Sequence, residues 1–220
     1  MSDADTALLA RCAAIAVSSW SDALDELGIA GVVSGIAQRS GQGRMCGFAV
    51  TARQVAGELG AFDKSDFGVG SLVAATGPGN VLVIDVGGEP ISTLGGLASL
   101  ACTMRSATGV VIDGACRDVD EIRETGLWLA SRHVAPTTGK RRLRLQPLGG
   151  QVTIGGIDVA EGDLVVGDDT GIVIVPRASL GAALEAADRI VAVDHEVERR
   201  IRAGTSFADA AAASGYLPGR

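Results

Sequence analysis

Two short runs of uninterrupted apolar residues, VLVID at 81–85 and VVID at 110–113, constrain this chain more than any other feature. A strand with one face in water alternates apolar and polar side chains. A strand with no alternation is covered on both faces, as in parallel sheets clad by helices. Between the runs, STLGGLASLACTMRSAT reads as a helix beginning near Leu94. After the second, RDVDEIRETG reads as a helix opened by Asp118 and closed by Gly126. The order strand, helix, strand, helix predicts an α/β domain with a parallel-containing central sheet. Both runs lead into Asp-Val-Gly or Asp-Gly turns at their carboxyl ends, where open α/β sheets bind ligands.

Around this unit the spacing predicts a helix over 4–16 and a second in SWSDALDELGI. In the second, Ser21 caps, Leu24 and Leu27 face inward and Gly28 ends the helix. CGFAVTARQVAG reads as a strand and residues 63–75 as a helix weakened by glycines. Beyond Gly126 the pattern changes to WLASRHVAP, KRRLRLQPL, GQVTIGGIDV and EGDLVVGDDTGIVIVP, which look like antiparallel pieces of a second β layer or small barrel. A long helix over 177–203 and a short one over 207–213 follow. No Pro- or Ser-rich linker, low-complexity tract or long repeat divides the chain, so one domain over 1–220 is expected.

Composition removes several function classes. Aromatics are 3% of the 220 residues, too few for base-stacking surfaces, and a formal net charge of -7 gives a polyphosphate no long-range attraction. Nucleic acid is therefore not an expected partner. Cys12, Cys46, Cys102 and Cys116 show neither CxxC spacing nor a nearby His pair, which indicates neither zinc nor a disulfide framework and fits a reducing cytoplasm. The start, MSDADTALLARC, is acidic where an export signal is basic, and Pro78, Asn80 and Asp85 interrupt the apolar stretch 69–88. Neither export nor a membrane span is expected.

Three features converge on the central unit. Leu94-Gly95-Gly96-Leu97 opens a helix, so free backbone N–H groups and the positive end of its dipole suit a carboxylate or oxyanion. Arg117 offers a planar fork that can hold a carboxylate and an enolate oxygen together. Asp118 is a hard oxygen ligand suited to Mg²⁺ or Mn²⁺. Such a set would bind a small 2-oxo acid and stabilise the enolate left by aldol cleavage or by decarboxylation of oxaloacetate. The same residues have a plainer reading. Asp118, with Asp120 and Glu121 in the first turn, is also ordinary helix capping, worth about 1 kcal/mol, and Gly95-Gly96 also lets a helix sit close to a strand.

The segment LGGLASLACTMRSATGVVIDGACRDVDEI resembles the signature of the RraA-like superfamily, which includes the 4-hydroxy-4-methyl-2-oxoglutarate/4-carboxy-4-hydroxy-2-oxoadipate aldolases with their oxaloacetate decarboxylase activity. The string VxDGxxRDxxE is carried by Val111, Asp113, Gly114, Arg117, Asp118 and Glu121. The likeness extends through SDALDELG, PGNVLVID and VTIGGIDVAEGDLVVGDDTGIVIVP, most of the chain. It implies a swivelling β/β/α domain, assembled as a homotrimer or homohexamer with sites near subunit boundaries. It further implies that Asp118 is a metal ligand, that Glu121 holds a metal-bound water, that Arg117 binds substrate, and that the backbone at Gly95, Gly96 and Leu97 receives the pyruvyl carboxylate. The chain departs from the pattern at Gly96, where such aldolases often carry an acidic residue that moves protons. Glu196 or Glu198 of another subunit is one substitute, although both also read as solvated helix charges.

Other features read as structural: His133 and His195 lack a third partner for a triad, Cys116 is a small filler at a turn, TGPGN lacks the lysine of a phosphate loop, and Asp168 and Asp169 are turn residues. KRRLR at 140–144 is an exposed strand or subunit contact from which Lys140 can reach the site. Three functions follow: a metal-dependent lyase releasing pyruvate, a non-catalytic protein-binding regulator of the ribonuclease-inhibitor type, and a same-scaffold enzyme for another oxo or hydroxy acid. A quinone methyltransferase is not expected, because no glycine-rich methyl-donor fingerprint is present.

Overall fold

The two apolar runs lie side by side in parallel, Val81 opposite Gly109 through Asp85 opposite Asp113. The computed structural model describes residues 2–216, which form α1 (Asp3–Ala13), α2 (Val17–Glu26), β1 (Ala37–Ser40), β2 (Met45–Ala56), a 3₁₀ turn (Ser65–Phe67), α3 (Val69–Ala74), β3 (Asn80–Asp85), β4 (Ser92–Leu94), α4 (Gly96–Met104), β5 (Gly109–Cys116) and α5 (Val119–Thr125). The chain continues through β6 (Leu129–Val134), β7 (Leu143–Leu145), β8 (Val152–Ile154), β9 (Ile157–Val159), β10 (Leu164–Asp168), β11 (Gly171–Val175), a second 3₁₀ turn (Arg177–Ser179), α6 (Leu180–Arg202) and α7 (Phe207–Ser214). No single helix among these residues is long and apolar enough to cross a membrane.

The central sheet runs β1-β6-β5-β3-β2-β10-β11, with β4 added beside β5 and β7 beside β2. It is nearly closed, because the segment before β1 bridges back to the far edge strand: Val33 N–H donates to Ile172 C=O and Ile174 N–H to Gly31 C=O. β2, β3, β5 and β6 are mutually parallel neighbours, while β1, β7, β10 and β11 pair antiparallel. β8 and β9 form a separate hairpin, the second small sheet.

Burial explains why the strands carry no polar alternation. Val81, Val83 and Val111 point into an inner core shared with Val152, Ile154 and Val159 of the hairpin, while Leu82, Ile84, Val110 and Ile112 point outward under α3, α4 and α5. A third core packs α1, α2 and α6 on the outer face of β10 and β11 around Trp20. Each strand of the centre therefore faces apolar neighbours on both sides.

Several expectations need correction. Ser21 lies inside α2, which begins at Val17; the capping acceptor comes from Asp168, whose Oδ2 receives the Val17 N–H at 3.3 Å. Leu24 is buried but Leu27 is 39% exposed, because the helix has ended and the chain turns at Gly28 with φ +67°. The helix expected over 63–75 is broken at Gly68, whose φ of +64° separates the 3₁₀ turn from α3. β6 is parallel to β5 and belongs to the central sheet. Asp113 and Gly114 lie within β5, which runs on to Cys116, so they form no turn.

Asp85 and Asp113, buried at the ends of the two runs, hold the hairpin in place. Asp85 accepts N–H bonds from Gly87 and Thr153 and pairs with Arg53; Asp113 accepts from Gly155 at 2.7 Å and pairs with Arg132. Burying a polar side chain without such partners is costly.

Candidate active site

The short strand β4 carries the chain from a loop on β3 into α4. Leu94 pairs with Cys116 at the end of β5, and the Arg117 N–H donates to Leu94 C=O at 3.0 Å. These bonds bring the start of α4 and the start of α5 together. At α4 the N-cap is Gly95, with no side chain to satisfy the first turn, so the Gly96, Leu97 and Ala98 N–H groups project without helical acceptors.

Asp118 sits at the N-cap position of α5 in the left-handed region, φ 53° and ψ 46°, which costs a non-glycine residue about 1–2 kcal/mol. Its carboxylate makes no capping bond to its own helix. Instead Oδ2 accepts the Gly96 N–H at 3.3 Å and lies 3.4 Å from Arg117 Nε. Asp118 therefore does not cap its own helix; its carboxylate meets the first N–H of α4, as that of Asp168 meets the first N–H of α2, and the left-handed backbone turns the side chain toward the glycine turn.

The glycines are required by the carboxylates. A Cβ at Gly95 would overlap Asp118 Oδ2 and approach Arg117 Cγ at 3.1 Å. One at Gly96 would overlap Glu121 Oε2 and stand 2.8 Å from Glu121 Cβ. Glu121 thus occupies the space that a side chain at position 96 would need. An acidic side chain at position 96 is sterically incompatible with Glu121 in this arrangement.

These groups line a cavity of about 720 Å³ together with Phe67, Val69, Val73, Thr93, Thr138 and Lys140. Gly95, Leu97, Arg117, Asp118 and Glu121 all border it, and Gly96 lies in the same turn. Lys140 does reach it, from the turn before β7. The apolar wall from Phe67 to Val73 and the Thr93 and Thr138 positions were missed by sequence reasoning, since Val, Phe and Thr carry no chemical signature. Leu97 lines the cavity yet is 83% exposed, so one side of the site opens widely.

No group of three or more His, Cys, Asp or Glu side chains among the described residues forms a ready-made metal cage. Asp118 and Glu121, two hard oxygen donors crowding one glycine turn beside open space, suit a small cation that keeps water or substrate in its remaining positions, as Mg²⁺ does.

The residues set aside are elsewhere. Asp113 is committed to Arg132 and Gly155. His133 Nε2 lies 3.0 Å from Gly88 C=O, and Cys116 is buried, which pushes its thiol up from the ordinary value. Asp168 Oδ1 accepts the Thr170 N–H, as a turn residue does. Glu196 is bound by Arg199 and Arg200, which hold its carboxyl down at about 2, and Glu198 is bound by Arg202, so within one chain both are paired helix charges.

The RraA-like family pattern, described as Aldolase/RraA, matches residues 17–174. The chain belongs to the RraA-like family. It is 33% identical over 127 residues to the uncharacterized protein MJ0644 of Methanocaldococcus jannaschii, covering 58% of this chain and 61% of that protein. It is 27% identical over 203 residues, 91% of each, to a Halalkalibacterium halodurans protein named "Putative 4-hydroxy-4-methyl-2-oxoglutarate aldolase". Among solved structures, an uncharacterized protein from Pseudomonas syringae pv. tomato superimposes with a TM-score of 0.82 at 26% identity, covering 93% of this chain and 96% of that one. Streptomyces coelicolor RraAS2, described as an unusual member of the RNase ES inhibitor RraA protein family, gives 0.72 at 26% identity, covering 89% and 94%.

Proposed function

We propose that this RraA-like protein is a divalent-metal-dependent lyase that breaks a carbon–carbon bond of a 2-oxo acid to release pyruvate, as a 4-hydroxy-4-methyl-2-oxoglutarate aldolase, an oxaloacetate decarboxylase or both. One observation carries the reading: Asp118 is held in a strained conformation that turns it from its own helix toward the glycine turn, with Arg117 alongside. Capping the first N–H of α4 would account for the direction of Asp118, but not for the Arg117 fork and the Glu121 carboxylate that border the same cavity.

The chain's own groups have distinct tasks. The Leu97 and Ala98 N–H groups at the positive end of α4 receive the substrate carboxylate. Arg117, with five donors in a rigid fork, orients the carboxylate and keto oxygen together. When the C3–C4 bond, one carbon removed from the keto carbon, breaks, its electron pair forms the C2=C3 double bond and the keto oxygen takes the negative charge of the enolate. Arg117 then stabilises the enolate until its terminal carbon takes up a proton and becomes the methyl group of pyruvate. In the aldol case the 4-hydroxyl gives its proton to water on the open side of the cavity as the second carbonyl product departs, and in decarboxylation carbon dioxide departs instead; in both, water supplies the proton that the enolate carbon takes up. Asp118 and Glu121 would hold Mg²⁺ or Mn²⁺, which supplies Lewis-acid polarisation of a keto group when bound.

Leu97, Leu100 and Met104 form an exposed apolar stripe on α4 beside the site, which supports assembly as a homotrimer or homohexamer with neighbouring copies close to each cavity.

The test is a lactate-dehydrogenase-coupled assay for pyruvate, with oxaloacetate and with 4-hydroxy-4-methyl-2-oxoglutarate, in Mg²⁺ and in EDTA. Pyruvate release that depends on metal is expected; its absence with both compounds overturns the lyase. The second reading, a non-catalytic protein-binding regulator, draws on the inhibitor description of the Streptomyces relative, and silence in this assay would favour it.

A further inference from the structure

Behind the cavity lies a buried polar side chain with no task in the chemistry above. Gln54, on β2, is 2% exposed. Its Nε2 donates to the Phe67 C=O at 2.8 Å, and its Oε1 accepts the Thr93 O–H at 2.8 Å; Thr93 is also 2% exposed. Phe67 and Thr93 both line the cavity, from opposite parts of the chain. Phe67 begins the apolar wall and immediately precedes Gly68, the left-handed break before α3. Thr93 belongs to β4, two residues before the Gly95 turn that Asp118 and Glu121 crowd.

We propose that Gln54 is a positioning residue that sets the separation between the apolar wall at Phe67 and the glycine turn that follows Thr93. This rests on the lyase reading for its catalytic consequence, but the mechanical link stands on the two hydrogen bonds. A primary amide suits the place because it donates at one end and accepts at the other. An ionised glutamate accepts at both ends and cannot serve the Phe67 carbonyl, and a leucine serves neither group. Sequence alone gave no warning of this, since Gln54 sits in an otherwise ordinary strand, CGFAVTARQVAG.

Gln54 shares this join with the turn at Gly139, which packs on the Phe67 ring and donates its N–H to the Ser92 C=O. The wall packs against the turn before β7: a Cβ on Gly139 would overlap the Phe67 ring, and one on Gly68 would meet Leu145 Cβ at 2.7 Å. β4 is fixed to β5 and, through Ser92, to Thr137 and Gly139. A misplacement of reacting groups by about 1 Å can lower a rate by roughly 100-fold, so a small shift of the wall against the turn is enough to matter.

The experiment compares wild type with Gln54→Leu, Gln54→Glu, Thr93→Val and Thr93→Ser, by pyruvate-release kinetics, thermal melting and amide hydrogen exchange. In folded Gln54→Leu and Gln54→Glu protein, kcat should fall about tenfold or more while KM changes less than about threefold, because the binding groups persist but are misaligned. Thr93→Val should reproduce the loss and Thr93→Ser, which keeps the hydroxyl, should restore it. The Gln54→Leu/Thr93→Val double variant should be little worse than either single one, since both cut the same link. Exchange should rise together in 64–70 and in 92–98 in Gln54→Leu, a result read whether or not pyruvate is formed. Wild-type kcat in folded Gln54→Leu, fully multiplicative losses in the double variant, or faster exchange in only one segment would overturn the assignment. A wild type that releases no pyruvate while both segments loosen together would refute the lyase reading and leave the link established.

Discussion

Asp118 gives its carboxylate to the N–H of Gly96 on the neighbouring helix, 3.3 Å away, and leaves the first turn of its own helix without a side-chain cap. On the proposed function, activity and local stability are set against each other at this one residue. Asp118→Ala should abolish metal-dependent pyruvate release with the fold intact. Asp118→Gly should be equally inactive yet at least as stable as wild type, gaining up to about 1 kcal/mol as the left-handed strain is relieved. Melting curves and the coupled assay together check this; wild-type rates in either variant would remove the proposed metal site.

Arg117→Lys keeps the charge and discards the fork. A point charge cannot hold a carboxylate and an enolate oxygen together, so kcat/KM should fall by about 100-fold or more, equivalent to roughly 2.7 kcal/mol of transition-state stabilisation. Steady-state kinetics with oxaloacetate would show it.

Gly96→Ala introduces a Cβ that stands 2.8 Å from Glu121 Cβ and overlaps its carboxylate. Displacing Glu121 should cost about 1–3 kcal/mol and most of the activity. The paired change Gly96→Ala/Glu121→Ala should recover the melting temperature but not turnover, which separates the packing conflict from the chemistry.

Asp22 has its carboxyl held above the ordinary value, first by burial and then by Asp25, Asp194 and Glu26. The folded chain keeps this proton to higher pH than the unfolded chain does. Stability therefore declines as pH rises from 3.8, the ordinary value, through the folded pKa, and the deficit persists at neutrality. Asp22→Asn should raise the melting temperature at pH 7 only slightly, because Asp22 is solvent-exposed and its repulsions are screened, and have no such effect at pH 3.

Asp113→Ala should be among the most damaging substitutions although Asp113 is outside the cavity. It strands Arg132 and leaves the Gly155 N–H without its acceptor, at about 3–5 kcal/mol, or a fall in melting temperature of roughly 10 °C.

The central architecture could be read from residues 81–85 and 110–113 because strands buried on both faces leave an uninterrupted apolar record. The site was legible for a related reason: Gly95, Gly96, Arg117, Asp118 and Glu121 lie just past β4 and β5, so short-range spacing already places them at one end of the sheet. β4 escaped notice because three residues, Ser92–Leu94, are too few to show a period. The break at Gly68 was hidden because a glycine inside a helical pattern reads as a weak helix, and only its φ shows that the chain turns there. Asp168 serving as the cap of α2 is a contact across 151 residues, which no local pattern records.

The bond from Arg117 N–H to Leu94 C=O joins the side of the pocket that carries Arg117 and Asp118 to the side formed by the start of α4 through one short stretch of sheet. The two sides therefore travel as a single rigid jaw, already spaced before any ligand arrives. A flat dianion shaped like the enolate, such as oxalate, would find its seat prepared and lose little affinity to ordering the protein around it.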